Sequence, residues 1–205
     1  MNYLAHILLA NHSEDAMIGA FLGDFMRPRD ADHLSLELQH EMWLHRYIDS
    51  YTDRHPEVRA ARHCCRAPLR LFARIALDVY FDHLLARRWS HYCDEPLDQF
   101  AARFYRALGA CSAQLPLHVQ VVISRMRRHD WLHSYRHFEA VQRAVAAIAR
   151  RLSRKGDHLL AALVELREFE QQVSWHFERF FPQLQAYALE RRAILNYEVR
   201  QATKG

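Results

Sequence analysis

Residues 75–89 read IALDVYFDHLLARRW. Ile75, Leu77, Val79, Phe81, Leu84 and Leu85 surround two aspartates, Asp78 and Asp82. At about 100° per residue, a helix places those aspartates one turn apart on a single face, with His83 at its edge. A segment apolar on most of its circumference is a buried helix, and the pattern extends it from about Pro68 to Trp89. Two like-charged carboxylates in such surroundings require compensating positive charge. A divalent metal supplies it, and so does arginine, of which the chain has 26.

Working outward, the rest of the chain is written in the same helical language. Only five glycines occur in 205 residues, with no Asn-Gly or Asp-Gly turn, and Ala, Leu, Arg and Glu fill the spaces between six prolines. This predicts an all-α protein, a single compact domain over residues 1–205 with roughly eight to ten helices. Helical blocks are expected over residues 3–10, from Ser13 to about Met26, over 34–52, 56–65 and 68–89, and from Pro96 to Pro116. Further blocks cover 117–128, 135–154 and 157–181, and Pro182 is expected to open a last helix toward Val199. Ser13-Glu14-Asp15 has the form of a helix start.

The formal charge is +4 and the pI near 9.0, carried almost wholly by arginine. An acidic protein, a phosphate-bearing ligand and a nucleic acid all suit that charge, and so does an arginine-rich coding bias with no partner behind it. The four cysteines form no Cys-x-x-Cys pair, which argues for free thiols in a reducing compartment. The N-terminus has no positive leader, and its apolar stretch is too short to span a bilayer. A cytoplasmic protein with no membrane partner is expected.

Histidines and aspartates recur inside apolar segments elsewhere. In HEMWLHRYIDSYTDRHP, residues 40–56, His45 and Asp49 lie one turn apart, as do Asp49 and Asp53, with Arg46 beside them. In AMIGAFLGDFM, residues 16–26, Asp24 is the lone charge, and Gly19 and Gly23 permit close helix approach. In NYLAHILLA, residues 2–10, His6 stands among Leu4, Ile7, Leu8 and Leu9. Any one of these is ordinarily a core histidine or a capping aspartate. Four within the first ninety residues concentrate a candidate metal site there, with oxygen and imidazole ligands that suit Mn²⁺, Mg²⁺ or Fe²⁺. No Gly-rich phosphate loop, Gly-x-Ser-x-Gly elbow or His-Glu-x-x-His motif is present. Arg127-Arg128 and Arg150-Arg151 read as solvated faces or docking surface, and Trp175, Phe177, Phe180 and Phe181 as core.

Four of these segments, NYLAH, GAFLGDF, HRYIDSYTDRHP and LDVYFDHLLARRW, together with SWHFERFFPQL, resemble in order and spacing the acyl carrier protein phosphodiesterase family. Arg27-Pro28 departs from it, since a glycine is expected soon after that basic residue. The resemblance implies a core related to the HD-domain phosphohydrolases. It implies hydrolysis of the phosphodiester between 4′-phosphopantetheine and the serine of holo-acyl carrier protein, with Mn²⁺ preferred and Mg²⁺ or another divalent cation in its place. On that reading Asp24, His45, Asp49 and Asp82 are the first candidates for metal ligands, and His6 and Asp78 follow. His83 is the general acid or base, and Arg46 offsets phosphate charge. The partner is an acidic protein, and Arg27, Arg29, Arg54 and Arg87-Arg88 are candidates to receive it. Two other readings address the same residues: an HD-type phosphohydrolase acting on nucleotides such as guanosine tetraphosphate, and a metal-free helical module that binds nucleic acid or protein.

Overall fold

The computed structural model describes residues 2–152 and 155–202, without the side chains of Arg29 and residues 197–202. Eleven α-helices lie among the described residues: α1 (Tyr3–Leu9), α2 (Glu14–Leu22), α3 (Leu36–Arg54), α4 (Pro56–His63), α5 (Arg70–Arg87), α6 (Leu97–Cys111), α7 (Leu117–Arg128), α8 (Trp131–Ser134), α9 (Phe138–Ala149), α10 (Gly156–Glu168) and α11 (Glu170–Ala202). The all-α expectation holds. None of these helices is long and apolar enough to cross a membrane.

Local chemistry sets the starts of the helices that carry the site. Ser13 accepts the Ala16 N–H at 2.9 Å, with Glu14 and Asp15 in the first turn of α2. Ser35 accepts the Leu38 N–H at 3.3 Å and starts α3. Pro56 sits at the first position of α4, where its missing N–H costs nothing. α2 then packs along α3 at close range. A Cβ at Gly19 would stand 2.4 Å from the Leu38 carbonyl oxygen, so only glycine permits that approach.

α1 lies across α2 and α5, and α5 packs against α9 and α10. Buried Leu77, Tyr80, Phe81, Leu84 and Leu85 of α5 occupy the centre. Each such side chain contributes about 1.5–3 kcal/mol on leaving water. α11 closes the assembly over α3 and α4. Its Arg192 bonds both Glu41 carboxylate oxygens and the Leu9 carbonyl, tying the end of α1 to α3.

Three expectations are corrected here. Pro182 does not open a helix but lies within α11. An interior proline costs about 3 kcal/mol, and the buried stripe of Phe177, Phe180, Phe181, Leu184 and Ala188 outweighs that by running through it. The expected block from residue 157 breaks at Phe169, between α10 and α11. Of the aromatic cluster, Phe177, Phe180 and Phe181 are core, while Trp175 is exposed under the guanidinium of Arg179.

Candidate active site

His6 from α1 and His45 from α3 are both buried, and both direct Nε2 toward Asp49 on α3. His6 Nε2 lies 3.1 Å from Asp49 Oδ1, and His45 Nε2 lies 3.3 Å from Asp49 Oδ2. Asp24, in the turn that follows α2, brings Oδ1 to 3.3 Å from the same His45 nitrogen. His45 Nδ1 donates to the Ala20 carbonyl at 2.7 Å. A carbonyl only accepts, so the neutral ring carries its lone pair on Nε2. That lone pair faces two carboxylate oxygens, an arrangement that is repulsive until a proton or a cation enters it. Gly23 makes room for the ring, since a Cβ there would stand 2.4 Å from His45 Cγ.

The electrostatics express the same demand. Burial lowers the His45 imidazole, but Asp24 and Asp49 outweigh it and raise the group to about 9. His6 falls to about 4, from burial first and from neighbouring His45 second. Burial pushes Asp24 and Asp49 upward, yet His45, joined at Asp49 by His6, holds both below their ordinary range. Two carboxylates and two imidazoles thus share one proton's worth of positive charge. Donor atoms of His6, His45 and Asp49 lie within 4.8 Å of one another, with Asp24 alongside. The set is mixed oxygen and nitrogen without thiolate, and it fits a hard or borderline divalent cation. His6 Nδ1 is buried without a hydrogen-bond partner among the described residues.

Asp24 and Asp49 are 41% and 44% exposed at the side chain, so the carboxylate side of the cluster reaches solvent. It opens into a cavity of about 180 Å³ whose wall includes Asn2, Asp53, Arg74 and Asp78. Burial raises the Asp78 carboxyl, and Asp49 and Asp53 act in the same direction. Arg74, one turn before Asp78 on α5, places a guanidinium at this wall and bonds Asp53. Sequence reasoning passed over Arg74, although its four-residue spacing from Asp78 marks it as a neighbour on the same stripe.

Three expected site residues lie elsewhere. Asp82 is fully buried, and its two oxygens accept the Leu4 N–H at 2.7 Å and the Ala5 N–H at 3.2 Å. It therefore caps α1, whose own Asn2 makes no capping bond. Burial raises its carboxyl to about 7 against the pull of those N–H groups. His83 is buried, donates Nδ1–H to the Tyr135 carbonyl at 2.6 Å and packs against Phe138. Arg46 is exposed and lies over the Trp43 ring, 5.6 Å from its centroid. His83 and Arg46 miss the site because a helix turns each about 100° away from its chain neighbour, Asp82 or His45, and Asp82 misses it through the rise of its helix. Helical spacing reports angle about an axis, whereas one turn of α5 carries Asp82 about 6 Å further along it, beneath α1 rather than beside α3.

Among the expected docking arginines, Arg87 and Arg88 bond Glu170 and Glu178 of α11. Arg27 and Arg54 are exposed, and the Arg29 side chain lies outside the described residues.

Residues 1–184, which hold every residue of this cluster, match the family described as acyl carrier protein phosphodiesterase. The chain belongs to that family. Among its relatives, the acyl carrier protein phosphodiesterase of Salmonella dublin is 32% identical over 189 residues, covering 92% of this chain and 97% of the relative. Those of Salmonella agona and Salmonella newport are 31% identical over the same span. No solved structure matches the chain. Within this acyl carrier protein phosphodiesterase family member, Arg27-Pro28 leads into a single 3-10 turn, Pro28–Asp30, that follows the Asp24 turn.

Proposed function

We propose that this chain cleaves the phosphodiester joining 4′-phosphopantetheine to the serine of holo-acyl carrier protein, yielding apo-carrier protein and free 4′-phosphopantetheine. The supporting observation is the convergence of two buried imidazole Nε2 atoms on two partly exposed carboxylates at the wall of an open cavity. His6, His45, Asp24 and Asp49 would hold a divalent cation, Mn²⁺ by preference with Mg²⁺ as a substitute. Bound there, the cation supplies positive charge against the phosphate and acidifies a nearby water.

The chain's own groups do the rest. Arg74 offsets charge on the phosphate oxygens as it accumulates. Asp78 keeps its proton to higher pH than an ordinary carboxyl and is placed at the wall to give it to the departing serine oxygen. The Ala20 carbonyl fixes the His45 tautomer, and Asp82 holds α1, with His6 on it, in register. On this reading the protein would act in the cytoplasm, where its carrier-protein substrate is expected.

Mass spectrometry of holo-acyl carrier protein incubated with the protein is the test. Conversion to the apo form with Mn²⁺ and its suppression by a chelator are expected. Unchanged holo-protein under both conditions would turn attention to nucleotide substrates.

A further inference from the structure

α4 and α5 present a second groove, of about 420 Å³, next to the cavity just described. Arg59 and Arg62 of α4 and Arg70 and Arg74 of α5 line it, together with His63 and Leu71. Arg74 lines both spaces, so the groove adjoins the candidate active site at that side chain. Spacings of three and four residues set each pair of arginines along one stripe of its helix. Arg62 and Arg74 are both tied to Asp53, which fixes their guanidinium groups at the junction of the two spaces. Arg70 donates Nε–H to the Cys65 carbonyl. Among the described residues no carboxylate lines the groove, and while Asp53 takes up charge from Arg62 and Arg74, Arg59 and Arg70 face no carboxylate, in contrast to Arg87 and Arg88, whose charge is spent on α11. Leu71 stands 75% exposed among the four cations. An exposed leucine ringed by arginines is the chemistry of an interface for an acidic surface with an apolar contact at its middle.

We propose that this α4–α5 groove docks the acidic face of the carrier protein, which brings the prosthetic-group phosphodiester past Arg74 to the candidate site. The occupant rests on the reaction proposed above. The surface rests on its own charge and on adjoining the cavity at Arg74. Arg59 and Arg70 steer and hold the carrier, and neither lines the cavity.

The test is titration of apo-carrier protein, which carries no bond to cleave, against wild-type protein and the double variant Arg59→Glu/Arg70→Glu. A control, Arg127→Glu/Arg128→Glu, alters another arginine-lined groove, on α7. The α4–α5 variant is expected to raise the Kd by at least about tenfold at low salt and to flatten its salt dependence, while the control binds as wild type does. Arg59→Gln/Arg70→Gln, milder in its demands on folding, is expected to fall between them. A Kd within about twofold of wild type for a folded Glu variant, or an equal loss in the control, overturns the surface. Turnover of holo-carrier protein separates the two readings. Wild-type protein that binds the carrier through this groove but never cleaves it sinks the reaction and upholds the surface. Cleavage by the Glu variant with a wild-type KM upholds the reaction and sinks the surface.

Discussion

The rings of His6 and His45 stack with centroids 3.8 Å apart and planes 16° from parallel. They come from α1 and α3, and the stack leaves their Nε2 atoms on opposite oxygens of one carboxylate, Asp49. Burial first, and the neighbouring His45 second, make His6 give up its proton, while Asp24 and Asp49 hold one on His45. A single cation of higher charge would answer both carboxylates in place of the shared proton.

On the reading proposed above, Asp49, which meets both imidazoles, would be a principal ligand of the cation. Asp49→Asn is expected to weaken Mn²⁺ binding by at least about tenfold, as read by calorimetric titration. Arg46→Ala, on the surface over Trp43, is expected to bind as wild type does. Equal affinities in wild type and Asp49→Asn would remove this cluster as the metal site.

Gly23 is a steric requirement of the site. The added methyl of Gly23→Ala would overlap the His45 ring. Overpacking of this kind costs about 1–3 kcal/mol. Thermal denaturation is expected to show that loss, and Mn²⁺ titration a disproportionate loss of affinity. Wild-type behaviour in both would mean that α2 and α3 separate without consequence.

Asp82 is expected to act through α1. Asp82→Ala leaves the Leu4 and Ala5 N–H groups without their acceptor, at about 1–3 kcal/mol. Hydrogen exchange at those two amides should quicken while the α3 amides stay protected. The pH dependence has a definite sign. A carboxyl raised to about 7 when folded holds a proton that the unfolded chain has released, so stability falls as pH rises from the ordinary aspartate range toward about 7. Asp82→Asn should flatten that decline in denaturant titrations across the same window. An unaltered pH profile would show that Asp82 does not titrate there.

Arg74 should govern turnover. Arg74→Ala is expected to lower kcat by about a hundredfold, the size found for losing one donor to transition-state charge. Arg74→Lys, which keeps charge but not the planar fork, should recover part of it. A change confined to KM would assign Arg74 to docking alone.

Much of this was legible before any coordinates. The Ser13 start of α2, the close approach at Gly19 and Gly23 and the meeting of His45 with Asp49 on one face follow from local rules of capping, sterics and 3.6-residue periodicity. The apolar setting of His6 and Asp24 marked them as anomalous, because burying a polar group is costly unless something answers it. The order of the motifs was enough to indicate the family, and the match over residues 1–184 agrees.

Tertiary structure decided which anomaly answers which. Asp78 and Asp82 share a helical face and look equivalent in sequence, yet one lines the cavity and the other caps α1. His83 sits beside Asp82 in the chain but turns toward Tyr135. Arg74 was one arginine among 26 until α5 set it beside Asp53 and Asp78. Periodicity is a property of one helix, and a site is a property of where several helices cross. Local sequence specifies each helix's own faces, but the crossings are settled by side chains distant in the chain packing together.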